Sequence, residues 1–254
     1  MKKAAILSAS VLLLTAAVRS EESPDPYRTW TDLNGNTLKA LYVRTAVESV
    51  ILRLKDGTES KIPIDALSEQ DRMYVMLQNP PRIEINMEPS VDMYTVGYLG
   101  NDGYDYTVQY QVVEPSVLLR RTSTGAYDAP LAMTVVILGR IKEIDRYVII
   151  DKTHMPFTFT EKQSYEVRYV GYPLDLRQIK GSWKSGVEYK GYLIAIRDSR
   201  GMLIAVKSNK VALEQNAEKL TDAEIGSMLT DRLQLIPPRV AVPDVGFEQP
   251  ELSF

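Results

Sequence analysis

The chain reads as mainly β: a small, strongly bent antiparallel sheet, then an antiparallel β-sandwich with immunoglobulin-like strand spacing, then one or two C-terminal helices. Three observations predict this. Across residues 28–77, alternating apolar residues flank two turn signals, Asn34-Gly35 and Asp56-Gly57. Across residues 82–171, strand-like runs recur at roughly 8 to 12 residue spacing, separated by turn residues. Finally, Leu193-Ile194-Ala195-Ile196-Arg197 and Leu203-Ile204-Ala205-Val206-Lys207 nearly repeat each other across Asp198-Ser199-Arg200-Gly201, the pattern of a hairpin.

The first element is not part of the fold. Lys2-Lys3, an apolar run over residues 4–18 and small residues at Ala16, Ala17 and Ser20 predict a secretory signal peptide over residues 1–20, cleaved near Ser20. The run is shorter than the roughly 20 apolar residues that span a bilayer, so no membrane span is expected after cleavage. With no cysteine in the chain there is no thiol to acylate and no disulfide, so the core alone holds the exported protein together. Cleavage lowers the 30 basic residues to 27 against 33 acidic ones, a net charge of −6. That balance argues against a nucleic-acid partner. About 234 residues remain, enough for one or two domains with their own cores.

In the first domain, residues 27–79, alternation sets Leu38, Ala40 and Tyr42 on one face, and Val50, Leu52 and Leu54 likewise. Ile62-Pro63-Ile64 is expected at a sheet edge, because proline cannot donate to a ladder. Ser68 and Asp71 resemble a capping box opening a short helix that carries Met73, Tyr74 and Leu77. Asn79-Pro80-Pro81 then marks the domain boundary.

The order of Arg28-Thr29-Trp30-Thr31-Asp32, Gly35, Ala40, Lys55-Asp56-Gly57, Ile62-Pro63-Ile64, and Leu67-Ser68-Glu69-Gln70-Asp71 before Tyr74 resembles the first homology domain of the fungal endocytic adaptor Sla, an SH3-like barrel. The likeness covers about 50 residues, roughly a fifth of the chain. It implies a barrel that binds short peptide signals on partner proteins and an adaptor-like role; no cofactor is expected. Similar domains occur in exported proteins of planctomycete and verrucomicrobial bacteria, and the signal peptide places this copy with that group rather than in an endocytic setting. The aromatic contacts to test are Trp30 and Tyr42, with Arg44, Arg53 and Lys55 as a charged rim. Against this stands the plainer reading that both aromatics fill a small core and the basic residues form a solvated face.

The sandwich is expected over residues 82–210. Beyond it, Leu213, Ala217 and Leu220 share one helical face, and Thr221 with Glu224 forms a capping box for a second helix lined by Ile225, Met228, Leu229 and Leu233. Together they make the helical stretch 211–236, followed by a proline-bearing tail over residues 237–254.

No catalytic constellation emerges. His154, the single histidine, falls in what reads as a turn, and no nucleophile elbow surrounds any serine. One histidine without cysteine excludes the usual zinc sites. Asp102, Asp105, Asp128, Glu143, Asp145, Asp151 and Glu166 leave a carboxylate-dependent envelope hydrolase with its site in residues 82–210 as one alternative to a binding protein, and a purely structural envelope component is the other. The loop Asn101-Asp102-Gly103-Tyr104-Asp105 has oxygen ligands but not the spacing of a calcium loop. Fifteen tyrosines against four phenylalanines is the compositional oddity: Tyr104, Tyr106 and Tyr110 share a strand face with Val108, and Tyr165 and Tyr169 another with Val167. Such a row suits a partner or sugar surface, or a face half covered by a second sheet.

Overall fold

The computed structural model describes residues 26–99, 105–124, 127–159, 165–180 and 185–237. The expected signal peptide, the tail beyond Pro237 and the loop at Asn101 to Tyr104 lie outside the described residues. Contacts divide the chain into two units that meet between Ser68 and Glu69. Each builds its own antiparallel β-structure.

The first unit is a four-stranded meander of β1 (Arg28–Thr31), β2 (Thr37–Ala46), β3 (Ser49–Arg53) and β4 (Glu59–Pro63), paired in that order and followed by a 3-10 turn, Ile64–Ala66. The β1–β2 connection is fixed by Asp32. Its carboxylate accepts the backbone N–H groups of Asn34 and Asn36, both at 2.8 Å, while Gly35 takes the left-handed φ of +82° that the turn demands. The outer edge of β1 is then covered: Leu67 bridges Asp32, Leu33 N–H bonds Ala66 O at 3.0 Å, and Ser68 N–H bonds Thr31 O at 2.8 Å. These bonds close the sheet into a small barrel around Trp30, Ala40, Val50, Leu52 and Leu67, each no more than 1% exposed. Pro63 lies at the end of edge strand β4, as the missing donor requires.

The second unit is a sandwich of unequal sheets. The larger runs β15-β10-β9-β13-β12-β7-β6, with β14 also paired to β13, and the smaller runs β11-β8-β5. The ranges are β5 Ile83–Met87, β6 Ser90–Leu99, β7 Asp105–Glu114, β8 Ser116–Arg121, β9 Leu131–Ile141, β10 Arg146–Phe157, β11 Glu166–Val170, β12 Leu174–Lys180, β13 Ser185–Asp198, β14 Leu203–Ser208 and β15 Met228–Leu229. An immunoglobulin domain splits its strands nearly evenly between sheets; here eight strands face three.

Strands β9 and β13 explain why the runs at residues 131–138 and 193–196 are apolar throughout rather than alternating. One face of each, with Met133, Val135 and Ile137 from β9 and Ile194 and Ile196 from β13, packs on Ile85, Met87, Val117 and Leu119 of the smaller sheet. The other face, with Val136, Leu138 and Leu193, packs under Leu213, Ala217, Leu220, Leu229 and Leu233. Both faces are thus interior. Helix α1 (Glu69–Gln78), which the sequence grouped with the barrel, packs Met73 and Met76 against the sandwich core.

Helices α2 (Val211–Gln215) and α3 (Ala217–Asp222) stand where the Leu213, Ala217 and Leu220 spacing predicts them. The second capped helix is corrected. Thr221 lies inside α3 with its hydroxyl bonded to Ala217 O at 2.9 Å, and the chain after it forms turns and the short strand β15 on β10. Leu229 and Leu233 are buried there, yet Ile225 is 58% exposed, so the spacing imitates a helical face without forming one. His154 is likewise corrected from a turn to the interior of β10, opposite Thr134 of β9.

One backbone position controls how β12 joins β13. Gly186, opposite Gln178, has φ +108°, and a Cβ built there would run into the carbonyl of Arg177. Gly186→Ala is therefore expected to cost about 2 to 4 kcal/mol, from left-handed strain plus the clash. A fall in the urea midpoint at unchanged slope checks it.

Candidate functional site

The five residues singled out in the barrel do not assemble. Trp30 is 1% exposed, and its indole N–H donates to Ala40 O at 3.0 Å. It is core and presents no surface to a peptide, which corrects its expected role. Tyr42 pairs with Leu52 across β2 and β3, on the inner face, with its ring 6.3 Å from that of Trp30 and its hydroxyl 2.9 Å from Thr45 Oγ1. A bulge after Tyr42 shifts the phase, so that Arg44 pairs with Ile51 and Leu41 with Arg53. Directly opposed residues share a face, which places Arg44 and Arg53 on the outer one. Arg53 is bound to Glu59 at 2.9 Å, and Lys55 lies 5.9 Å from the Tyr27 ring. Arg44 and Arg53 thus occupy the side of the sheet opposite Tyr42, and Lys55 lies in the turn after β3.

Three of the candidate carboxylates are held by neighbouring groups. Glu143 accepts the Gly186 N–H at 2.8 Å, Asp145 pairs with Arg140 at 2.6 Å, and Glu166 pairs with Arg120 at 2.8 Å. His154 Nδ1 sits 3.2 Å from Thr134 Oγ1 on an exposed side chain. Among the described residues no cluster of three metal-ligating side chains forms, and no helix is long and apolar enough to cross a membrane.

What does assemble is an aromatic face on the arm of the larger sheet made by β6, β7 and β12. The register sets Tyr94 opposite Tyr110, and Tyr110 opposite Arg177. The rings of Tyr94 and Tyr110 stack at 4.8 Å with 9° between their planes. Two pleat repeats further along β6, Tyr98 brings its hydroxyl to 3.4 Å from that of Tyr110. That bond, followed by partial desolvation, holds the Tyr110 phenol above its ordinary range, against the opposing effect of the Arg177 charge. Tyr94 is 49% and Tyr98 39% exposed, while Val108 beneath the row is fully buried. Asp92 and Asp175, at the same parity as the tyrosines, supply acidic neighbours.

The reverse side of this arm is fastened to the sandwich. Gln111 accepts the Tyr189 N–H at 2.9 Å and donates to Met93 Sδ at 3.7 Å, and Gln109 reaches the same sulfur at 3.6 Å. Burial raises the Tyr189 phenol to about 12, so it stays protonated and neutral there. The aromatic face is thus mounted on a sheet with one anchored side.

Of the tyrosine row expected from the sequence, Tyr110 belongs to this face and Tyr104 lies outside the described residues. Tyr94 and Tyr98 were missed as site residues, although their spacing of four along a strand puts both hydroxyls on one side. Tyr169 belongs to the smaller sheet, packed against the core, and Tyr165 lies 4.2 Å beneath the Arg121 guanidinium.

No family model and no curated protein matches the chain. Among solved structures, a crystal structure from Akkermansia muciniphila is similar at 15% identity, over 52% of this chain and 73% of that one, with a TM-score of 0.17. A likeness of that size carries no argument about fold or function.

Proposed function

We propose that the protein is an exported, non-enzymatic binding protein that grips a protein partner through the tyrosine face of β6, β7 and β12. The observation that carries this reading is the stacked Tyr94–Tyr110 pair, with Tyr94 half exposed beside Tyr98 and Arg177. Tyrosine and arginine are the side chains that dominate protein interfaces, because they bury much area with few rotamers to freeze and keep a polar tip. Export rests on the N-terminal Lys2-Lys3 and the apolar run that follows. The barrel is an adaptor-like second contact whose available surface is the outer face with Arg44 and Arg53, together with Lys55 in the turn after β3.

The test compares capture of envelope proteins by purified wild type, by Tyr94→Ser/Tyr110→Ser and by Arg44→Glu/Lys55→Glu. The tyrosine variant is expected to weaken capture by about tenfold or more, the size common for interfacial aromatics. The barrel variant should have a smaller effect. Unchanged capture by the tyrosine variant overturns the reading.

A further inference from the structure

We infer that β6 is a self-pairing edge, and that a second copy of this chain adds its own β6 antiparallel to it, joining two larger sheets into one. This goes beyond the tyrosine face, because it stands on the backbone edge of the strand.

Among the described residues β6 pairs only with β7, through ten consecutive positions without a bulge, and forms the end of the larger sheet. Proteins normally blunt such an edge with lysine, proline, a bulge or a very short strand. Three other edges among the described strands follow that rule. β4 carries Glu59, Lys61 and Pro63, β11 carries Glu166 and Arg168, and β15 has two residues. β6 has ten residues, with Asp92 its sole charge and Val91, Met93, Tyr94 and Tyr98 all exposed. Nothing in its sequence opposes pairing.

The strand is also complementary to itself. A two-fold axis normal to the sheet keeps even-numbered side chains on one face, so it must pass through a residue. The middle of the strand lies between Tyr94 and Thr95, and an axis on Thr95 sets Asp92 against a phenol where one on Tyr94 would set it against Val96. In that register Tyr94 faces Val96, Met93 faces Gly97, and Asp92 faces Tyr98, each pair occurring twice. Gly97 has open space around it, so the opposing Met93 meets no clash there while its sulfur stays on Gln109 and Gln111. The Asp92 carboxylate meets a phenol donor instead of its own copy. The two Asp92 side chains stand six residues apart along the strands, about 20 Å, beyond the roughly 8 Å over which charges act at physiological salt. An unrelated peptide has no comparable reason to match these three pairs.

The absence of cysteine from the chain supplies the experiment. Thr95→Cys, exposed and on the axis, should form a disulfide-linked dimer under mild oxidation, because directly opposed strand residues lie within disulfide reach. Val91→Cys should not, since its copy lies eight residues away, about 26 Å along the strand. Wild type should show twice the monomer mass by light scattering, and Thr95→Lys, which sets two ammonium groups against each other, should show the monomer mass. A monomeric wild type across a dilution series, equal crosslinking at both positions, or crosslinking of Thr95→Cys only to a different protein each overturns the inference. A monomeric protein whose tyrosine variants still lose their envelope partner would remove the paired edge and leave the tyrosine face standing. A Thr95-centred dimer whose capture ignores the tyrosines would do the reverse.

Discussion

Trp30→Ala is expected to unfold the barrel, costing about 3 to 5 kcal/mol, because the indole is buried on all sides in a core of only a few large side chains. Beyond the lost area, the variant removes the indole N–H that donates to Ala40 O at 3.0 Å, and a lost hydrogen bond costs roughly another 0.5 to 1.5 kcal/mol. Trp30→Phe keeps most of the area and loses the donor, so it should fall between wild type and alanine. Hydrogen exchange at β2 and β3 reads the effect directly: protection there should collapse in Trp30→Ala, while β9 and β13, with their own core, keep theirs. Any loss of peptide binding in this variant would report unfolding and not a missing contact. Retained protection in β2 and β3 would show that Trp30 is not the keystone of the barrel.

The same residue shows where sequence reasoning stopped. An aromatic opening a strand announces a barrel but not the side on which it points, and that side is set by pairing with Leu38 on β2. The bulge after Tyr42 leaves no mark in the residue types, yet it turns Arg44 to the outer face, away from Tyr42. The turns at Asp32 and Asp56 were legible, because an Asx carboxylate bonding the next backbone N–H groups is a local device. So were β9, the second half of β13 and β14, whose apolar runs reflect burial in the middle of a sheet. Strand β12 was not, since Leu174-Asp175-Leu176-Arg177-Gln178-Ile179-Lys180 mixes charge into its exposed side and offers no long apolar run. The helix expected after Thr221 failed for the opposite reason. Leu229 and Leu233 are buried at a helical spacing, but through turns and the bridge of Leu229 to Leu235. Periodicity reports burial first and conformation second.

Asp198 is where the second large effect is expected. It was visible in the sequence only as the first residue of a hairpin turn, yet its side chain is fully buried. One oxygen accepts the backbone N–H groups of Arg200 at 2.9 Å and Met202 at 3.0 Å. The other accepts Arg200 Nε at 3.0 Å and a terminal guanidinium nitrogen at 2.7 Å, and that guanidinium also donates to Leu77 O at the end of α1, at 2.6 Å. Satisfying a helix carbonyl in this way ties α1 to the β13–β14 turn. Burial by itself would raise the Asp198 carboxyl, but the Arg200 side chain and the two backbone donors outweigh it and hold the group below the ordinary carboxylate range. Asp198→Asn places an amide donor against guanidinium donors and is expected to cost about 2 to 3 kcal/mol at neutral pH, tempered because Arg200 is partly solvated. The sign with pH follows from the lowered folded value. The stabilisation is complete above the unfolded carboxyl pKa of about 4, and it drains away as pH falls through the lower folded value. Urea midpoints of wild type and Asp198→Asn should therefore differ most near pH 7 and converge in acid, once the pH has fallen through the lowered folded value. A gap that stays constant down to that pH would assign the cost to lost shape in the turn and not to the carboxylate charge. Because Arg200 also holds Leu77, the variant should expose the last turn of α1 to hydrogen exchange before any strand of the sandwich opens.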